Sequence, residues 1–305
     1  MAKVYRWLAK PYRALLALVA LGLLVFLVTA LWWGAQRHEY ITIGSGIKLY
    51  NLGVKDVIEG FKNSSNVDIR VILRNTGDLM RLLSDGSICF AFTASPYLES
   101  LYLSKGVIEW HGVFAYSYLI VAGPSDDPAN VSGARSLMDA FKRIYMAGEE
   151  GKARFISRGD LSAEHVREML TWNLTGFDPR GRAWYIRTAQ GPVQTALIAE
   201  NMRAYLLMDE GTYIALNVQD KIRDLKILYA NSSDPLNLFV ASMVSSKNDA
   251  CKSLRAFILE LREYVMGPGQ AIIEEKYSPQ GLLYPAKGKE RELREAWESL
   301  SKIGG

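Results

Sequence analysis

The stretch Phe155-Ile-Ser-Arg-Gly-Asp-Leu-Ser-Ala-Glu-His165 has the pattern of a strand end, a polar turn and a helix start. Ala153 to Ile156 are strand-like, and Ser157 to Asp160 form the turn. From about Ser162 the apolar residues recur at helical spacing, which predicts a helix to about Leu174. A helix start presents unpaired backbone N–H groups and a partial positive charge, and so favours an anion.

The side chains of this turn allow two interpretations. Arg158 carries a fixed fork of donors, and Ser157 and Ser162 carry hydroxyls, so a small oxyanion could bind here. Alternatively, Arg158 pairs with Asp160 or another carboxylate, while the serines only cap the helix. The residues of the turn alone do not choose between these two interpretations.

Composition excludes several classes of protein. The 305 residues are 49% hydrophobic and 22% charged, which is enough for a sizeable core. The excess of positive charge behind the net charge of +4 lies in the first 38 residues, which hold five basic residues and no Asp or Glu. The remainder has 31 basic and 32 acidic residues, and this balance argues against a nucleic-acid partner.

Two cysteines are too few for a fold that is held together by several disulfides. Cys89 lies in an apolar strand, which favours a lone buried thiol, although pairing with Cys251 outside the cell stays open. The three histidines are far apart in sequence, and no Cys/His cluster has the spacing of metal ligands. The sequence therefore predicts no cofactor and no metal.

Residues 14–34 are uncharged and overwhelmingly apolar. As a helix they would span about 31 Å, enough to cross a bilayer. Four basic residues precede the run and Trp32-Trp33 end it, so residues 1–13 are expected to be cytoplasmic and the rest extracytoplasmic. The apolar run is longer than that of a signal peptide, which favours an uncleaved single-pass anchor in the cell membrane.

Strands and helices alternate after a short stem. We predict strands at 40–43, 67–73, 88–94, 113–122, 153–156, 204–208, 225–229 and 238–244. We predict helices at 52–63, 77–83, 97–105, 136–146, 162–174, 191–202, 249–265, 269–276 and 287–303, and a further helix that begins with residues 209–213. This alternation predicts an α/β architecture, with the apolar strand 88–94 buried on both faces of a parallel sheet.

Two segments, 122–124 and 234–238, are typical of crossovers between lobes. They divide the chain into lobe 1 (39–122 plus 238–288), lobe 2 (123–237) and a C-terminal helix (289–305). A ligand is expected in the cleft between the lobes, at strand carboxyl ends and helix starts.

The order of elements and the amino-acid sequence of residues 121–213 resemble those of the tungstate-binding proteins of ABC importers. The resemblance covers roughly residues 40–287. It rests on Val121-Ala-Gly-Pro-Ser-Asp-Asp-Pro128, Arg154-Phe-Ile-Ser-Arg-Gly-Asp160, Trp172, Gly176, Pro179, Trp184-Tyr185, Gln190-Gly191, Thr195, Ala204-Tyr205 and Gly211-Thr-Tyr213.

This resemblance implies a type II periplasmic-binding fold, with two α/β lobes and a cleft. It implies a solute-binding protein that delivers an oxyanion, tungstate first and molybdate next, to an ABC permease and its ATPase. Arg158 would be the main electrostatic clamp. Ser157, Ser162 and Ser45 would donate hydroxyl hydrogen bonds, and Lys48 could replace hydroxyl donors with a charge.

The chain departs from the family's pattern at several positions. The family's motif reads Ser-Arg-Gly-Asp-Asp-Ser-Gly-Thr-His, and here Leu161, Ala163 and Glu164 differ. An ionised Glu164 would repel an anion. Ser45-Gly46-Ile47-Lys48 stands where the family has a cluster of hydroxyls, and Met208 and Glu210 stand where it usually has threonine and arginine.

These departures keep a second function open, a surface sensory or interaction domain that has no small ligand. An enzyme is the least favoured class, because no nucleophile–base pair or metal triad emerges from the sequence.

Overall fold

The computed structural model describes residues 18–26, 40–65, 67–109, 112–230, 236–244 and 249–302. Residues 41–305 form one compact unit, and residues 1–40 form another. In the N-terminal unit, residues 18–26 are helical with exposed side chains. No helix of the described part is long and apolar enough to span a membrane, and most of the predicted anchor 14–34 lies outside the described residues. The anchor therefore stays a prediction.

Strands and helices alternate along the compact unit. The strands are β1 (Tyr40–Ser45), β2 (Asp68–Leu73), β3 (Phe90–Thr93), β4 (Ile108–Glu109), β5 (Val113–Pro124), β6 (Phe155–Ser157), β7 (Tyr185–Arg187), β8 (Leu206–Asp209), β9 (Leu225–Ala230), β10 (Leu236–Val244) and β11 (Tyr284–Pro285). The helices are α1 (Lys55–Ser65), α2 (Thr76–Ser84), α3 (Pro96–Ser104), α4 (Leu137–Glu149), α5 (Ala163–Thr175), α6 (Pro192–Met202), α7 (Glu210–Val218), α8 (Arg255–Met266), α9 (Pro268–Lys276) and α10 (Glu290–Ser301). The predicted α/β alternation is confirmed.

One long strand, β5, joins two groups of strands. Its first half pairs antiparallel with β10 and β11, and its second half, from Leu119, pairs antiparallel with β8 and β9. The strand order on the first side is β11-β5-β10-β3-β1-β2, and β6 and β7 form a separate parallel pair. The lobe boundaries at 122 and 238 stay predictions, although β5 changes partners close to the first of them.

The strand predicted at 88–94 forms β3 and is buried at all four of its positions. The prediction that it lies in a parallel sheet is correct for one of its two neighbours. β3 runs parallel to β1 on one side and antiparallel to β10 on the other. β10 comes much later in the chain, after residues 119–230 have formed the other group of strands, and it enters the sheet in the opposite direction. A buried apolar strand does not show the direction of its neighbours, since both kinds of sheet can cover both of its faces.

Separate apolar cores support the two sides of β5. One core gathers residues from 41–115 and 251–283, including Phe61, Phe92 and Leu261. Two further cores gather residues from 119–229, one around Phe141 and Trp172 and the other around the Leu206 region of β8. The elements that carry the candidate site are thus fixed by burial on both sides.

Cys89 and Cys251 form a disulfide with a Cα–Cα distance of 5.6 Å. The expectation of a lone thiol at Cys89 was therefore wrong. The two residues are 162 positions apart, and they meet because β3, which follows Cys89 directly, pairs with β10, which precedes the Cys251 segment. Such a bond suits an oxidising compartment.

Candidate functional site

A cleft of about 840 Å³ lies beside strand ends and helix starts of the compact unit. Its wall includes the turn after β1, the loop between β6 and α5, the start of α6 and the first turns of α7. Carboxyl ends of strands meet amino ends of helices here, which is where an α/β protein offers backbone N–H groups to a ligand. The sequence predicted a ligand at such strand ends and helix starts, and this placement stays a prediction, as do the lobes on which it rests.

Lys48 reaches the cleft from a short helical turn, Ile47–Leu49, that follows β1 directly. The neighbouring Leu49 is 2% exposed and belongs to the core that contains β1 and β3. This burial anchors the turn, and the Lys48 side chain is itself only 10% exposed. Lys48 is therefore a largely buried cation with a fixed position, and it is not a solvated surface lysine.

The loop from Ser157 to Ser162 needs two residues with positive φ. Gly159 has φ 66°, a conformation that favours glycine, and a Cβ there would also crowd the Arg187 side chain at 3.0 Å. Leu161 has φ 55°, which is uncommon for leucine, and its N–H donates to Nδ1 of His165 at 2.9 Å. The loop folds back on α5 and brings Arg158 to the cleft.

Arg158 is bound by two carboxylates. Its Nη2 donates to Asp160 at 2.6 Å, and its Nη1 donates to Glu164 at 2.9 Å. The pairing of Arg158 with Asp160 or another carboxylate, which is one part of the alternative interpretation, is present, and whether an anion also binds here stays a prediction. The buried Nε of Arg158 has no hydrogen-bond partner among the described residues, so part of its donor fork is still unused.

Glu164 lies in the first turn of α5 and is 4% exposed. Its carboxylate accepts a short hydrogen bond from Lys48 Nζ as well as the bond from Arg158. Burial alone would raise the pKa of Glu164, but the charges of Lys48 and Arg158 outweigh it, and with the backbone N–H of Glu164 they hold the pKa at about 2. The group is ionised at any physiological pH.

Asp209, the last residue of β8, is the third carboxylate in contact with the two cations. Its carboxylate is fully buried and caps α7, because Thr212 donates its N–H at 3.0 Å and its hydroxyl at 2.6 Å. It also lies 3.3 Å from Lys48 Nζ. Lys48 therefore contacts two carboxylates, Glu164 and Asp209, as Arg158 contacts Asp160 and Glu164.

The serines predicted as hydroxyl donors are not brought together. Ser162 lines the cleft and caps α5, accepting the N–H of His165 at 3.4 Å. Ser45 is fully buried and donates to the neighbouring carbonyl of Gly46 at 3.2 Å. Ser157 is also fully buried, beside the carboxyl group of Glu168, and neither Ser45 nor Ser157 forms part of the cleft wall.

Sequence reasoning missed the buried pair behind the cleft. Tyr185 donates its hydroxyl to Glu168 at 2.5 Å, and burial raises the pKa of Glu168 to about 7. The signal was present, because Glu168 follows Glu164 by four residues and so lies on the same face of α5. The spacing in the sequence could not show that this face of α5 was buried. Among the described residues, no group of three or more His, Cys, Asp or Glu is placed to hold a metal ion.

Residues 35–260 match the model of the PBP superfamily domain. The chain belongs to the PBP superfamily. It is 31% identical over 64% of its length to a Haloferax volcanii protein provisionally named as an ABC transporter anion-binding protein. It is 27% identical over 59% of its length to the tungstate-binding protein TupA of Peptoclostridium acidaminophilum. The matches span 55% and 63% of the length of these two relatives.

A solved structure supports the same relationship. The tungstate ABC transporter structure from Geobacter sulfurreducens is 29% identical to this chain, with a TM-score of 0.63, and the match covers 78% of this chain and 98% of that one. The periplasmic-binding-protein-like α/β fold and the resemblance to tungstate-binding proteins are thereby confirmed for this member of the PBP superfamily.

Proposed function

We propose that this PBP superfamily member is the solute-binding protein of an ABC importer and that it binds an oxyanion, tungstate first and molybdate next. One observation carries the proposal. Lys48 and Arg158, which are 110 positions apart in sequence, converge on a single carboxylate at the start of α5. Two cations and a helix N-terminus around one set of oxygens are the arrangement that an oxyanion needs.

The proposed site consists of Arg158, Lys48 and Ser162. Arg158 has a buried Nε that makes no hydrogen bond to another described residue, and Ser162 lies at the cap of α5. Ser45 and Ser157 were predicted from the resemblance, and they would join this site only if the loops that bury them moved. The relatives named for anion and tungstate binding favour the same class of ligand.

The importer proposal includes a tether. Residues 14–34 would anchor the chain in the cell membrane with its N-terminus cytoplasmic, so that the binding unit lies outside the cytoplasm. A tether raises the effective concentration of the binding protein at its permease. The partners would be the permease and its ATPase, with no nucleic acid.

Isothermal titration tests the oxyanion site directly. The full chain in mild detergent would be titrated with tungstate, molybdate, sulfate and phosphate, beside Arg158→Ala. Losing a charged hydrogen-bonding partner should weaken tungstate binding by about ten- to a hundredfold. Arg294→Ala, which removes the same charge from an exposed position of α10, should bind as the wild type does. Tight binding that survives Arg158→Ala would refute this site.

A second candidate is a surface sensory or interaction domain that has no small ligand. The ion pairs of Glu164 favour it, because both cations are already neutralised. Absence of binding by all four anions at millimolar concentration would favour this candidate over the importer.

A further inference from the structure

The position of the Glu164 carboxylate is the position that a bound oxyanion would take. It receives Lys48 from one segment and Arg158 from another, and it lies at the N-terminus of α5. These are the donors of an anion site, and all of them are directed at oxygens that belong to the protein itself.

The charge balance of the cluster around Glu164 supports this inference. The cations of the cluster are Lys48 and Arg158, and the carboxylates in contact with them are Asp160, Glu164 and Asp209. Three negative charges therefore face two positive ones. A dianion added beside this cluster would find both of its cations already compensated, and the three carboxylates would repel it at short range.

The three carboxylates are not equivalent. Asp209 is held by Thr212 through two hydrogen bonds, and Asp160 accepts the N–H of Ser162 at 3.1 Å, so each also has a structural role at the start of a helix. The Glu164 carboxylate accepts its hydrogen bonds from the two cations. A longer side chain with such contacts can rotate away without uncapping a helix.

We propose, on the basis of the proposed oxyanion function, that Glu164 sets the affinity of the site, because its carboxylate competes with the ligand for Lys48 and Arg158. An oxyanion enters only by displacing this carboxylate into solvent. The cost of this exchange is the same for every anion, because each must displace the same carboxylate from the same two cations. Competition also weakens every anion relative to a site without the carboxylate.

Substitution of Glu164 tests the competition. Glu164→Gln keeps the size of the side chain and removes its charge, and Glu164→Asp keeps the charge and shortens the side chain. Glu260→Gln is the matched control, since it removes the same charge from an exposed position of α8. Each full-length chain in mild detergent would be titrated with tungstate and with nitrate.

We expect Glu164→Gln to bind tungstate about ten- to a hundredfold more tightly than the wild type, because one charged competitor is gone. Nitrate should gain by a similar factor, because neither anion then has to displace a charged carboxylate. Glu260→Gln should match the wild type. Equal or weaker tungstate binding by Glu164→Gln, beside wild-type binding that depends on Arg158, would overturn the competition and leave the proposed function standing. No binding by either chain would overturn both.

Discussion

Trp297 donates a hydrogen bond of 2.6 Å from its indole Nε1 to Oε2 of Glu99, and both side chains are buried. The bond joins α10, near the end of the chain, to the first turn of α3. Thr93 and the backbone of Ser95 donate to the other oxygen of Glu99 at 2.8 and 2.9 Å. Burial nevertheless raises the pKa of Glu99 to about 7, against the opposing effect of the hydrogen bonds from Trp297, Thr93 and Ser95.

Stability should therefore fall as the pH rises from about 4.5 to 7. Glu99 and Glu168 both have pKa values of about 7 in the folded chain, against 4.5 for an ordinary glutamate. In this window the folded state binds more protons than the unfolded state, so the free energy of unfolding decreases with pH, by about 3 kcal/mol per group. Denaturant unfolding at a series of pH values measures the slope.

Glu99→Gln and Glu168→Gln should each flatten this dependence, because an amide does not titrate. The difference between variant and wild type is the quantity to compare. His165 acts in the opposite direction at the upper end of the window, since burial lowers its pKa from 6.5. A slope that is unchanged in the double variant would show that neither carboxyl group is responsible.

The disulfide between Cys89 and Cys251 should stabilise the chain strongly. It closes a loop of 162 residues, and in the chain-entropy account a loop of this length contributes about 5 kcal/mol. Unfolding in guanidinium chloride with and without a reductant should show a loss approaching this size. The Cys89→Ser, Cys251→Ser double variant is the control, and a reductant should have no effect on it.

The buried pair of Lys48 and Glu164 should be worth far more than an exposed pair of the same residues. Lys48→Met leaves Glu164 and Asp209 buried with less compensation, which should cost about 3 kcal/mol in the free energy of unfolding. Lys62→Met is the matched control, because Lys62 pairs with a half-exposed Glu59 at 3.3 Å and should cost less than about 1 kcal/mol.

A double-mutant cycle separates the pair from its surroundings. In the Glu164→Gln background the charge that Lys48 compensates is gone, so Lys48→Met should cost much less than it does in the wild type. The same cost in both backgrounds would show that Lys48 stabilises the chain through Asp209 or through packing.

Much of the fold could be predicted from the order of elements, because hydrophobic periodicity and turn residues are local signals. The helix after Ser162 was predicted to end at about Leu174 and extends to Thr175. The direction of β10 and the disulfide could not be predicted, since both depend on which distant segments become neighbours in the sheet. Local sequence carries no record of such pairing.

The candidate site was predictable in its residue types and less so in its contacts. Lys48, Arg158 and Glu164 were all singled out, and Glu164 was expected to oppose an anion. The sequence could not show that Glu164 bridges the two cations, because that contact needs the turn after β1 to meet α5 across 116 positions. Nor could it show that Ser45 and Ser157 point into the protein, since a strand end exposes either face.

The three predicted hydroxyl donors should differ in their effect on anion binding. Ser162 lines the cleft and caps α5, so Ser162→Ala should weaken tungstate binding by about three- to tenfold and cost about 1 kcal/mol in stability. Ser45→Ala and Ser157→Ala should leave the affinity unchanged, because neither side chain reaches the cleft wall. Titration of all three variants in the wild-type and Glu164→Gln chains makes the comparison. A loss of affinity in Ser45→Ala or Ser157→Ala alone would mean that the loops rearrange when the anion binds, and that the cleft described here is not its bound form.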